Sequence, residues 1–295
     1  MTEFHADDYG LFPEQSRRIL YCHQNGVLNG TSVMPNSPWR DRCLDMLPEK
    51  GIALSVHLNL MEGQCMAPPA SVPLLAEQEG VFRVSFARLL FCPLTGRYRE
   101  YKRQIKTELR AQIEAMLPVF ARFDQPLRLD GHAHWHMLPV VFDALMELIE
   151  EEKLPVAYIR IPREPLALYF RHLPRILPIR PINLVKTLLL HALSGRNLRR
   201  YQAKLAGMEE KLFLGVLFSG RFDTARMREL LPEAERMAAE KGWGLELLAH
   251  PGAVYEEADI EALTNRDDRV FLTSPDRQTE RDAFLSLKEK ELSHV

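Results

Sequence analysis

Short apolar runs alternate with longer amphipathic stretches along most of the chain, and polar clusters recur where the apolar runs stop. Only residues 1–4 precede His5-Ala6-Asp7-Asp8, so the pattern predicts a brief first strand that ends on those acids. Residues 12–26 predict a helix, with Ile19, Leu20 and Cys22 among its apolar positions and Gly26 as its stop. Residues 28–34 predict a strand turned by Asn36-Ser37-Pro38. A helix over 39–50 ends at Gly51, and the apolar run 52–58 suits a buried parallel strand. Residues 62–100 are loop-rich, with prolines at 68, 69, 73 and 93, and are placed to cover a site. Ile105, Leu109, Ile113 and Leu117 mark a helix over 101–123. Residues 127–129 then lead into Asp130-Gly131-His132, and a helix (140–152), a strand (156–161), a helix (223–241) and a strand (245–249) continue the alternation. The expected fold class is α/β, a barrel-like (β/α) arrangement of mainly parallel strands whose ligand site lies at their carboxyl ends.

Composition narrows this picture. The 295 residues suit a single domain, 1–295, with 46% apolar and 26% charged residues, an ordinary globular balance. A net charge of −2 predicts no attraction to nucleic acid. Cys22, Cys43, Cys65 and Cys92 form no Cys-x-x-Cys pair and are expected to be free thiols. With neither a secretory leader nor a long uncharged apolar run, a cytoplasmic location is expected. One segment departs from the average. Between Pro165 and Met208 there is no acidic residue, while eight arginines and lysines accumulate among leucines and isoleucines. A packed helical insertion with a basic solvated face accounts for it, and so does a surface that makes transient contact with a membrane or a lipid-linked substrate.

Four polar clusters fall at predicted strand ends: Asp7-Asp8, His57, the run Asp130-Gly131-His132-Ala133-His134-Trp135-His136, and His250-Pro251-Gly252. Strand ends of a parallel sheet converge on one face. A carboxylate with two or three imidazoles, leaving open positions, is the make-up of a catalytic divalent-metal centre. In an extended segment His132, His134 and His136 would share one side. Taken singly, the His-x-His repeats suit a turn or a solvated edge, and Asp-Asp-x-Gly suits an acidic turn. His250 reads either as a loop histidine or as a general acid. Arg160 and Arg163 follow a predicted strand and read either as substrate-binding cations or as surface partners of Glu164.

The chain resembles the YdjC-type carbohydrate deacetylases through Ala6-Asp7-Asp8-Tyr9-Gly10, Val56-His57-Leu58-Asn59-Leu60, the run from Asp130 to Pro139 and His250-Pro251-Gly252, in family order. That resemblance implies a barrel-like fold, one divalent ion (Mg or Zn) and hydrolysis of the N-acetyl group of an acetylated sugar. It implies Asp8, His57 and His132 as metal ligands, Asp7 as the base, His250 as the acid, and His134 and His136 as positions lining the site. The family usually has Asn where this chain has His5. A metal-dependent phosphoesterase or amidohydrolase on a similar barrel and a non-catalytic sugar-binding relative are the rival readings, and a homodimer is left open.

Overall fold

A computed structural model of the chain describes residues 1–291. Seven strands, β1 (Thr2–Tyr9), β2 (Gly30–Val33), β3 (Ala53–Leu58), β4 (Leu127–Gly131), β5 (Val156–Ile159), β6 (Lys211–Leu214) and β7 (Gly244–Ala249), form one sheet in the order β5-β4-β3-β2-β1-β7-β6. Every neighbouring pair is parallel. The expected α/β barrel-like fold is present as a curled half-barrel. Its curl is recorded by side chains that meet across its hollow: Arg128 of β4 donates to Glu3 of β1 at 2.6 Å, and Arg160, just after β5, donates to Asp7 of β1 at 2.9 Å. The two edge strands also approach, since Glu209 N donates to the Ala157 carbonyl at 2.8 Å.

The hollow is filled with charge instead of aliphatic side chains. Glu3, His5 and Asp7 of β1 alternate with Phe4 and Ala6, so the period of two is kept while the polar face points inward. Burying carboxylates is tolerable only if each is paired. Arg128 and Lys211 hold Glu3, and Arg160 holds Asp7, Asp130 and Glu246. The apolar core lies between sheet and helices. Helix α1 (Pro13–Asn25) buries Ile19, Leu20 and Cys22, the short α2 (Arg40–Leu44) follows β2, and α3 (Phe86–Phe91) lies within the proline-rich cover. Helix α4 (Tyr98–Arg122) buries Ile105, Leu109, Ile113, Met116 and Phe120, packing on α5 (Pro139–Glu152) and β3. Each such side chain contributes roughly 1.5–3 kcal/mol, and Leu109→Ala would cost about 2–5 kcal/mol through the cavity it leaves.

Two sequence expectations are corrected, and some elements lie where none was expected. The first strand continues through Asp7 and Asp8 to Tyr9, because those acids are inward or bulged positions of a central strand. The second helix stops at Leu44, short of the expected 39–50. Strand β6 and the three terminal helices α9 (Glu257–Ala262), α10 (Arg266–Leu272) and α11 (Asp276–Glu291) were not anticipated. The basic segment is helical as expected, forming α6 (Leu166–Ile176) and α7 (Pro181–Leu205), and α8 (Thr224–Glu240) packs beneath α6. Among the described residues no helix is long and apolar enough to cross a membrane.

Candidate functional site

Consecutive residues of a regular strand point to opposite faces, so adjacent acids can serve one site only if the strand is distorted. The β1–β2 register shifts between Ala6 and Tyr9, and Asp8 takes a left-handed φ of 69°. Such a bulge re-aims a side chain at a strand end, at a backbone cost that the surroundings must offset. Asp7 thereby faces the hollow while Asp8 meets His57 and His132.

Three donor atoms form a tight triangle. Asp8 Oδ1 lies 2.8 Å from His132 Nδ1 and 3.3 Å from His57 Nε2, and the two nitrogens are 3.3 Å apart. Ligand atoms held about 2.0–2.2 Å from one small divalent ion sit roughly 3 Å from each other, so the spacing fits. The remaining ring nitrogens fit as well. His57 Nδ1 bonds Asp130 Oδ1 at 2.7 Å, and His132 Nε2 bonds Asp268 Oδ2 at 2.9 Å. A carboxylate behind each imidazole fixes its tautomer and orientation and raises its basicity as a ligand. Two further clusters of acids and histidine occur in the hollow, Glu3-His5-Glu246 and His5-Asp7-Asp130. Arg128, Lys211 and Arg160 already neutralise their carboxylates, which leaves Asp8-His57-His132 as the set suited to an ion.

The electrostatics follow from burial and partners. Burial pushes the Asp8 carboxyl up, but the charges of His132 and His57 outweigh it and hold it well below the usual carboxylate range. Burial alone would lower His57, whereas Asp7 and Asp130 raise it to about 9. Asp7 is likewise desolvated, yet the Arg160 guanidinium, 2.9 and 3.0 Å from its two oxygens, keeps it lowered and therefore ionised. His5 lies beneath, bonded to Glu3 at 2.7 Å and Ser32 at 2.6 Å, with Asp7 Oδ1 3.7 Å away.

The remaining anticipated residues divide. His132, Ala133 and His134 belong to a tight 3-10 segment in which Ala133 and His134 have positive φ, so the three histidines do not share one side as an extended segment would require. His134 lines the cavity over the triangle, edge-on to Phe213, and burial keeps it neutral. His136 is buried under Gly131, where an added Cβ would come 2.8 Å from its Nδ1, and it bonds the Arg160 carbonyl at 2.9 Å. Burial lowers it to about 4, and it does not line the cavity. Arg160 is buried at the centre of the hollow, and Arg163 lies in a different cavity beside His191. Neither pairs with Glu164, which instead accepts from the backbone N–H groups of Gly215, Val216 and Leu217 at 2.6–3.0 Å. His250 reaches the cavity, its ring edge-on to Phe271 and its Nδ1 3.5 Å from Glu280.

The cavity holds about 300 Å³ and is walled by Trp135, Phe86, Met61 and Phe271 together with Lys186, Leu189 and Leu190 of α7. Asp268 was missed from sequence. It lies 136 positions from His132, at the start of a helix capped by Asn265, whose N–H is in turn held by Glu62 at 2.8 Å.

A family model described as YdjC-like protein matches residues 3–293. The chain belongs to the YdjC-like family. Relatives within reach of this YdjC-like chain include the carbohydrate deacetylase of Geobacillus stearothermophilus, 30% identical over 163 residues, which are 54% of this chain and 59% of that protein. The carbohydrate deacetylase of Thermoanaerobacter pseudethanolicus is 27% identical over 51% of this chain and 57% of its own length. The chitooligosaccharide deacetylase of Proteus mirabilis is 27% identical over 53% and 58%. The match thus spans under three-fifths of each curated relative. A solved structure from Enterococcus faecalis V583, that of a proposed cellobiose-phosphate cleavage protein, covers 99% of this chain and 93% of its own with a TM-score of 0.66 and 17% identity, a likeness of fold.

Proposed function

We propose that this site hydrolyses the N-acetyl group of an acetylated amino sugar and releases acetate. The observation that carries the reading is the Asp8-His57-His132 triangle set beside an ionised, Arg160-clamped Asp7. The similarity to carbohydrate deacetylases supports it. Asp8, His57 and His132 would hold one divalent ion, Mg or Zn, which when bound polarises an amide carbonyl and acidifies water. Two imidazoles in the set favour zinc on donor chemistry.

Asp7 is the base. Its Oδ2 lies 3.9 Å from His57 Nε2, next to the triangle, and the Arg160 charge ensures that it enters the reaction as an acceptor. The proton it takes from the attacking water stays at an oxygen that Arg160 holds in place. His250, a wall of the same cavity, would give the departing sugar amine a proton from Nε2, while the Glu280 carboxylate faces Nδ1 at 3.5 Å on the other edge of the ring. The aromatic walls exclude water and offer faces for a sugar ring. His134 is a neutral wall residue, His136 supports Gly131, and Arg160 positions Asp7 without touching substrate.

The test is acetate release from a panel of N-acetylated sugars, with chelator and after adding back Zn or Mg. Chelator should stop release and an added ion should restore it. Asp7→Asn should lower turnover by about 10²–10⁴-fold while the protein keeps its metal. Acetate release that ignores chelator would defeat the reading, and phosphate release from sugar phosphates without acetate would reassign the site.

A further inference from the structure

Fourteen large hydrophobic side chains are exposed among the described residues, and seven of them fall between Phe170 and Leu188. A surface helix ordinarily turns its apolar stripe inward and its polar face to water. The first turns of α7 invert this. Asn183 and Thr187 point inward: Asn183 donates to the carbonyls of Leu217 and Ser219 at 3.2 and 3.1 Å, and Thr187 donates to Glu164 at 3.2 Å. The outward face carries Ile182, Val185 and Leu188, which are 58%, 60% and 50% exposed. Phe170 and Leu177 of the adjoining α6 region add 74% and 55% exposed side chains to it. Ile182, Val185 and Leu188, three residues apart, share one side of the helix, and an exposed apolar stripe of this kind marks a partner or a membrane.

The charges around it select between them. Residues 165–208 contain no acid, and Arg171, Arg175, Arg180 and Lys186 lie beside the apolar side chains in sequence. Arg171 and Arg175 have carboxylate partners on α8 and Arg180 pairs with Asp276 of α11, but the partners are recessed. The Arg175 side chain is 71% exposed over a Glu229 that is 25% exposed, and Arg171 is 51% exposed over Glu233 at 19%. The outermost charge is therefore positive, around an apolar centre, which is the pattern of an interfacial helix on anionic lipid. A second copy of the chain would set one positive rim against another.

We infer that α6 and the first turns of α7 form a docking surface for an anionic bilayer. Lys186, Leu189 and Leu190 of the same helix line the cavity above the Asp8-His57-His132 triangle, so the helix that docks is also a wall of the site. The inference stands on the surface alone and does not depend on which bond the site cleaves.

The full chain is sedimented with vesicles of phosphatidylcholine alone and of phosphatidylcholine mixed with phosphatidylglycerol. Binding should be selective for the mixed vesicles and should weaken in high salt. The double substitution Ile182→Ser with Val185→Ser, outside the cavity lining, should weaken binding at least about tenfold. Its circular dichroism and its behaviour toward soluble substrates should match the wild type. No binding to the mixed vesicles, or equal binding by the double variant, overturns the inference. So does self-association in sedimentation velocity that the same substitutions abolish, which would assign the face to a second copy.

Discussion

Arg160→Leu removes a cation that touches three buried carboxylates. Its guanidinium lies 2.9 Å from Asp7, 3.1 Å from Asp130 and 2.6 Å from Glu246, all in the closed hollow of the sheet. The three acids are not equally exposed to the loss. Asp130 keeps Ser32 and His57, and Glu246 keeps the Tyr158 hydroxyl, whereas Asp7 retains only His5 at 3.7 Å and His57 at 3.9 Å. Breaking a buried ion pair by deleting one partner costs about 3–5 kcal/mol. For a chain of this length that corresponds to a melting temperature roughly 10 °C lower. The effect should depend on pH. In the wild type Asp7 and Asp130 are held below the usual carboxylate range, so their contribution is present above pH ~4 and lost as pH falls through their lowered values. Without Arg160, burial drives Asp7 the other way, and the variant recovers by binding a proton at higher pH. Thermal unfolding followed by circular dichroism should show the full deficit at pH 8 and a smaller one at pH 5. A deficit below about 2 °C at pH 8, or one of equal size at both pH values, would refute the assignment of Arg160 as the counter-charge of the hollow.

Two further perturbations address the cover and the insertion. Asp268→Asn keeps the shape beside His132 but removes the negative charge behind its ring, and should weaken Zn affinity by about 10–100-fold, read by competition with a chromophoric chelator. Unchanged affinity would mean that Asp268 does not tune His132 as a ligand. On α6, His172 donates to Glu233 and Glu229 of α8 at 2.6 and 2.5 Å, and these bonds raise it above its ordinary value. Stability from this clamp is fully present below pH ~6.5 and lost as pH rises through the raised value. His172→Gln should therefore cost about 0.5–1 kcal/mol in urea unfolding at pH 6 and clearly less at pH 9, and a cost that grows with pH would contradict the clamp.

The parts of this molecule legible in sequence are those whose signals are local. Gly26 ends the first helix, the run 52–58 is apolar enough for a buried strand, and the basic insertion is visible in the bare order of its residues. β1 misled because a barrel interior is ordinarily apolar, and Glu3, His5 and Asp7 look like a strand's end when they are its inward face. β6 was missed for a related reason: Lys211 points into the hollow and only Leu212, Phe213 and Leu214 remain to mark four residues of strand. The run from His132 to His136 misled through backbone, since positive φ at Ala133 and His134 has no signature in residues that usually avoid it.

The site divides along the same line. Asp8, His57 and Asp130 come from strand ends, where chain order and parallel pairing bring them together: His57 pairs in register with Asp130, so the carboxylate behind that imidazole is set by the sheet itself. The carboxylate behind His132 comes from α10, which is fixed by Asn265 and by Glu62, whose oxygens accept from Thr264 and Asn265 at 2.8 Å. One half of the triangle is thus determined by β-sheet register, and the other by how the C-terminal helices dock onto the loop after β3. A perturbation of that docking should reach the triangle through His132 and leave His57 in place. The contrast explains why a single chain read residue by residue yields the histidines and the acids of the strands, but not Asp268.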